Sequence, residues 1–155
     1  MLPFIGVQVD NWTPKNMLEF LEQDENKKFY HSISIFEILA KGFKLLTHGK
    51  FDNFLLNDIQ KGIDQITYNP QLNKIDRSQS PKIMHLLYNV RKIHSDFIDC
   101  LIFTTAVCNC EVFCTFDRTL IKKIKKKKNL RKKIREINPD FCVQFDDFSG
   151  ENVCF

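Results

Sequence analysis

Two carboxylates eighteen residues apart, Asp99 and Asp117, are the side chains of this sequence best spaced for joint chemistry. They lie within DFIDCLIFTTAVCNCEVFCTFD, residues 96–117, which is predicted to be a helix running straight into a short buried strand. Asp96 and Asp99 open the helix, Leu101, Ile102, Ala106 and Val107 give it apolar faces, and Asn109–Cys110 make the corner. Glu111 to Phe116 is a β-rich apolar run. Asp117 follows as the strand gives way to the next helix. In an open α/β sheet ligands collect just beyond the carboxyl ends of strands, which is where Asp117 falls, and Asp99 is one turn into a helix that can lean over it. Two carboxylates held there can share a divalent cation, because hard cations such as Mg²⁺ take oxygen ligands. Plain structural roles compete with this one: a carboxylate favoured by the positive end of a helix and a turn aspartate.

The elements that must position this pair are legible along the chain. Thr13-Pro14 has the form of a helix start, a cap followed by Pro at the first helical position. The helix it opens runs to about Gln23, with Met17, Leu18, Phe20 and Leu21 inward. Lys28 to Ser34 reads as a strand. Ser34-Ile35-Phe36-Glu37 has the form of a capping box, opening a helix through Leu45 or Leu46 with Ile38, Leu39, Phe43 and Leu46 inward. Phe51 to Tyr68 is a further helix, Gln71 to Gln79 a polar loop, and Ser80-Pro81 the cap of a helix that buries Ile83, Met84, Leu87 and Val90. After Asp117, Thr119 is the expected cap of a long basic helix to Ile137, with a break near Asn129. Phe141 to Phe145 is a last strand, and the acidic tail is expected to be loosely held. Helices alternating with short strands predict an α/β protein of one domain, a parallel sheet with helices on both faces.

Charge is distributed unevenly. The net charge is +4, yet ten of the fifteen residues from Ile121 to Arg135 are Lys or Arg, leaving thirteen basic against nineteen acidic residues elsewhere. A cationic helix on an otherwise acidic chain is suited to phosphate backbones. The lack of interleaved aromatics argues against base stacking, and a solvated face or a dock for an acidic protein is the other use of such a helix. No run of the sequence reaches the length of a membrane span, and its first residues lack the order of a signal peptide. The expectation is therefore a cytoplasmic protein without a membrane partner. Cys100, Cys108, Cys110 and Cys114 crowd into fifteen residues, mostly at core-like positions, and reduced, buried cysteines are the expected state. Cys108-x-Cys110-x-x-x-Cys114 raises structural zinc as an alternative, although it lacks paired C-x-x-C knuckles.

Asp99-x-x-Ile102-x-x-x-Ala106, followed nine residues later by Thr115-x-Asp117, resembles the C-terminal signature of the PIN-domain nucleases, D-x-x-I-A-A-x-A and then a strand ending in T-x-D. Phe103 and Thr104 replace the small-residue pair, a departure that concerns packing. The resemblance extends to SISIFEILAKG, where a PIN domain has a strand ending in a small hydroxylated residue and a helix carboxylate soon after. It thus implies a second role for Glu37 besides capping.

The resemblance implies a three-layer PIN-like fold and a metal-dependent ribonuclease, toxin-type or RNA-processing. Glu37, Asp99 and Asp117 would surround Mg²⁺ or Mn²⁺, with Asp96 as auxiliary ligand or merely a helix-start charge. Thr115 would hold a phosphate or brace Asp117, or serve only as a β-branched strand residue. Arg118, Lys122, Lys123, Lys125 and Lys126 would meet RNA. A homodimer or an antitoxin partner is compatible with the family. Two alternatives stand beside this: an inactive RNA-binding PIN-like module, and a structural zinc or protein-interaction domain.

The family's first strand, which ends in an Asp, has no counterpart here, and MLPFIGV is similar to the segment just after that motif. The expectation is a reading frame that begins upstream of Met1, since omitting a central parallel strand leaves its neighbours' backbone groups unpaired. The genomic sequence before the Met1 codon is expected to encode an in-frame apolar run ending in Asp and Ser or Thr. A stop codon with no such run would refute this.

Overall fold

The structure is a computed structural model, and it describes residues 15, 19, 21–22, 26–47, 54–76, 80–115, 117–145 and 153–155. The chain is mixed α/β and divides into two compact units, Met1–Asp76 and Arg77–Phe155. Most of the helix expected from Thr13 to Gln23 lies outside the described residues, as do the side chain of Leu46 and the residue Phe116.

The first unit contains β1 (Lys28–His31), α1 (Ser32–Thr47), α2 (Phe54–Thr67) and β2 (Leu72–Ile75). β1 and β2 pair in parallel, with Lys28 opposite Leu72 and His31 opposite Ile75. β2 takes up Leu72–Ile75 of the loop expected over Gln71–Gln79, whose residues 77–79 lie outside the described residues. Its residues LNKI offer only a weak alternation, and pairing with β1 overrides that weak local signal. The core is Tyr30, Ile38, Ile59 and Ile66, with Ile35, Leu39, Ile63 and Leu72 against it. Gly42 permits the close approach of α1 and α2, since a Cβ there would lie 2.6 Å from the Ile59 Cδ1. Phe43, expected inward, is exposed.

The second unit holds α3 (Pro81–Arg91), α4 (Phe97–Asn109), β3 (Val112–Thr115), α5 (Arg118–Lys125), α6 (Lys128–Ile137), β4 (Cys142–Phe145) and β5 (Val153–Cys154). Ser80 caps α3 with Pro81 at its start, its Oγ accepting from the Ile83 N–H at 3.2 Å. Met84, expected inward, is exposed, and Leu86 is buried instead. β3 and β4 run parallel, Val112 opposite Cys142 and Thr115 opposite Phe145. β5 adds to β4 in antiparallel fashion, so this sheet is mixed, in the order β3-β4-β5. Of the acidic tail only 153–155 are described, and there Val153 and Phe155 are buried; the acidic residues themselves lie outside the described residues. β3 is the edge strand of the described sheet, and it exposes Val112 and Cys114 rather than being buried throughout.

α4 is the centre of this unit. Cys100, Leu101 and Phe103 to Val107 are all buried, covering nearly its whole circumference, as expected of a helix with neighbours on most sides. It packs on α3, α6 and β3. Phe103, one of the two residues that replace the small pair, is fully buried and meets Phe113, Phe141 and Phe155 edge-on at 5.8, 5.7 and 6.4 Å between ring centres. Thr104 is buried at no polar cost, because its hydroxyl donates back to the Cys100 and Leu101 carbonyls. At the far end of α4 the Asn138 side-chain amide donates to the carbonyls of Val107 and Cys110 at 3.1 and 2.9 Å.

The basic segment forms two helices. The break falls at Lys126–Lys127, two to three residues before the one expected at Asn129. Each helix keeps a short apolar stripe inward, Leu120, Ile121 and Ile124 on α5, Leu130 and Ile134 on α6. One continuous helix would carry the second stripe out of line with the first across the run 125–129, which is polar throughout.

Cys142 and Cys154 face each other across β4 and β5 and form a disulfide. The expectation of reduced cysteines fails for this pair. Cys100, Cys108, Cys110 and Cys114 are free, and Cys100 alone of these four is buried. Burial pushes the Cys100 thiol up to about 11. No helix among the described residues is long and apolar enough to cross a membrane.

Phe103→Ala removes the ring on which three others converge, and is expected to destabilise the protein by about 3–5 kcal/mol. Chemical denaturation followed by near-ultraviolet circular dichroism measures this. A loss below about 1 kcal/mol would show that the cluster is not central.

Candidate metal centre

Asp99 and Asp117 are brought together, and both are placed by helix starts. Asp96 is the N-cap of α4, its Oδ1 accepting from the Ile98 and Asp99 N–H groups at 2.9 and 3.2 Å. This is the helix-start role foreseen for Asp96, and it puts Asp99 in the first turn. At the end of β3, the Asp117 N–H donates to the Thr115 Oγ1 at 3.0 Å, so Thr115 braces the Asp117 backbone. Asp117, rather than the expected Thr119, caps α5: its Oδ1 accepts from the Thr119 and Leu120 N–H groups at 2.8 and 3.0 Å.

The other Asp117 oxygen faces an imidazole. His94 Nε2 lies 3.3 Å from Asp99 Oδ2 and 3.7 Å from Asp117 Oδ2. These three atoms all lie within 4.8 Å of one another. Donors at about 2.1 Å from a shared cation stand about 3 Å apart when adjacent and about 4.2 Å apart when opposite, so the group fits a cation after a contraction of under about 1 Å. The donor set of two carboxylates and one imidazole suits a divalent metal. The His94 side chain is only 10% exposed, while Asp99 and Asp117 are 32% and 28% exposed. The centre is thus closed behind the histidine and open over the acids.

His94 was not singled out in the sequence. It sits in the turn between α3 and α4, where its N–H donates to the Val90 carbonyl and its own carbonyl accepts from Arg91. Only its residue type marked it, as a common metal ligand, because a ligand contributed by a turn has no periodicity. Its Nδ1 is buried without a hydrogen-bond partner among the described residues.

Glu37 belongs to the first unit. α1 starts at Ser32, so Ser34 lies inside the first turn, and the expected capping box does not form. His31 takes that place, its Nδ1 accepting from the Ile33 N–H at 3.1 Å. Glu37 is instead ion-paired with Lys41 one turn on. The carboxyl ends of β1 and β2 carry their own polar group. Asp76 lies 2.7 Å from the Lys74 ammonium, and hydrogen bonds from Lys74 and then Ser32 lower its pKa. Burial lowers that of His31, against the opposing charge of Asp76.

Of the residues expected to meet RNA, Arg118 lies over the Phe145 ring at 5.0 Å. Lys122, Lys125 and Lys126 are exposed and Lys123 is half-buried. Cys108, Cys110 and Cys114 are not brought together as a metal-binding group among the described residues. No family model matches the chain, and no curated protein or solved structure matches it.

Because one Asp117 oxygen caps α5 while the other faces His94, the two roles are separable by mutation. Asp117→Ala removes the cap and is expected to cost about 1 kcal/mol, a fall in Tm of about 2–4 °C, whereas Asp117→Asn keeps an accepting oxygen and should stay within about 1 °C of the parent. Scanning calorimetry at neutral pH decides it, and equal losses in both variants would contradict the division.

Proposed function

We propose that this chain is a metal-dependent endoribonuclease with a three-layer PIN-like fold, using Mg²⁺ or Mn²⁺ held by Asp99 and Asp117. The supporting observation is the convergence of those two carboxylates, with His94, at the carboxyl end of β3. It falls on the same two positions, Asp99 and Asp117, that carry the resemblance to PIN-domain nucleases. When bound, the cation lowers the pKa of a water and neutralises charge on the attacked phosphate.

The chain's own residues supply position and charge. Thr115 and the start of α5 fix Asp117 so that one oxygen turns outward. The open side of the centre leaves room for a phosphodiester, and Arg118, Lys122, Lys123, Lys125 and Lys126 follow directly on α5 and its end. Several lysines on one helix bind a phosphate backbone by displacing its counterions, without reading its sequence. The protein's partner is therefore RNA, with a second copy or an antitoxin-like protein as further candidates.

The basic pair α5 and α6 also favours the second reading, an RNA-binding module without catalysis. Single-stranded RNA with Mg²⁺ or Mn²⁺ separates the two. Cleavage is expected with the parent and lost with chelator, and it should fall at least about 100-fold in Asp99→Asn and Asp117→Asn, a mutational loss of the size seen when charge stabilisation is removed from an active site. RNA binding without metal-dependent cleavage by the parent would favour the module. Undiminished cleavage by both variants would remove these aspartates from the site.

A further inference from the structure

The acids alone do not account for the centre, because its most buried member is the histidine. We infer that His94 is the third protein ligand, and that it makes the centre select Mn²⁺ over Mg²⁺; this rests on the metal-dependent reading of Asp99 and Asp117. The geometry carries the inference. Nε2 points between the two outward oxygens, 3.3 Å from one and 3.7 Å from the other, spacings close to those of donors adjacent on one cation. The turn that holds the ring is tied at both ends, by the Val90 carbonyl and by Arg91, and the Cys100 thiol packs on the His94 carbonyl at 3.6 Å. The ring is therefore prepositioned, and little ordering is required when a cation arrives.

Donor chemistry then decides which cation. Mg²⁺ keeps to oxygen, demands a near-regular octahedron and surrenders its waters reluctantly. Mn²⁺ accepts carboxylate oxygen, and as a first-row metal it also accepts imidazole nitrogen. A nitrogen fixed in the pocket occupies a coordination position that Mg²⁺ would fill with water, so it discriminates against Mg²⁺ more than against Mn²⁺. Ligation through Nε2 puts the ring proton on Nδ1, which has no acceptor among the described residues. Such an outer acceptor usually raises affinity 10- to 100-fold, so the centre binds Mn²⁺ selectively but not tightly.

The experiment is Mn²⁺ binding to the full chain, followed by electron paramagnetic resonance, with Mg²⁺ as competitor. Pulsed measurement of nitrogen coupling is made on protein with natural and with ¹⁵N-labelled histidine. The expected result is a histidine nitrogen coupled to Mn²⁺, an isotope shift on labelling, and at least about a tenfold preference for Mn²⁺ over Mg²⁺. His94→Gln should lose the coupling and most of the preference, while Asp117→Asn should lose binding. The labelled parent gives the answer even where His94→Gln does not fold. Mn²⁺ bound without histidine coupling, coupling that persists in folded His94→Gln, or equal affinity for the two metals would overturn the role of His94 and leave the carboxylate centre standing. No binding by the parent, or binding indifferent to Asp117→Asn, would overturn both.

Discussion

The second unit is governed by an electrostatic problem: two carboxylates held within 4.8 Å of each other. At an effective dielectric constant of about 20 that repulsion is about 3–4 kcal/mol, an upper figure because both groups are about one-third exposed to water. The fold opposes it with two helix starts, α4 beneath Asp99 and α5 beneath Asp117, each worth about 0.3–1 kcal/mol to a nearby negative charge. His94 lies between the two acids, its Nε2 3.3 Å from Asp99 Oδ2 and 3.7 Å from Asp117 Oδ2.

The positions of those helix starts depend in turn on packing well away from the charge. α4 is held by burial on nearly all sides, with Phe103 under three rings and Asn138 closing its last carbonyls. α5 begins where β3 ends, and β3 is set in register by β4. The distance between Asp99 and Asp117 is thus a property of the aromatic core and the strand register as much as of the site.

How much of this the sequence showed depends on whether the signal was local. The cap at Ser80-Pro81, the helix from Phe97 and the strand at Cys142–Phe145 each have a local cause, and each was legible. The pairing of Asp99 with Asp117 was left open by spacing, which suits plain helix-start and turn roles equally well, and was favoured only through the resemblance. β2 was not legible, because LNKI acquires its strand character from β1, forty-odd residues earlier. Nor was the competition between Asp117 and Thr119 for the cap, since both are good capping types and only the turn set by Thr115 decides between them. His94 was invisible for a third reason: a ligand on a turn carries no period, and its proximity to both acids is a product of tertiary folding.

The break at Lys126–Lys127 has a further bearing. By turning both apolar stripes inward it leaves ten cations on one short stretch of two helices, where they repel one another in the folded state and much less in an expanded chain. The fold therefore stores a self-repulsion that simple salt screens over a Debye length of about 8–10 Å. A polyanion that bound the folded arrangement in preference to the unfolded one would discharge it more completely. Thermodynamic linkage would then make stability and occupancy a single variable: a strand of negative charge lying along α5 and α6 would also hold those helices together.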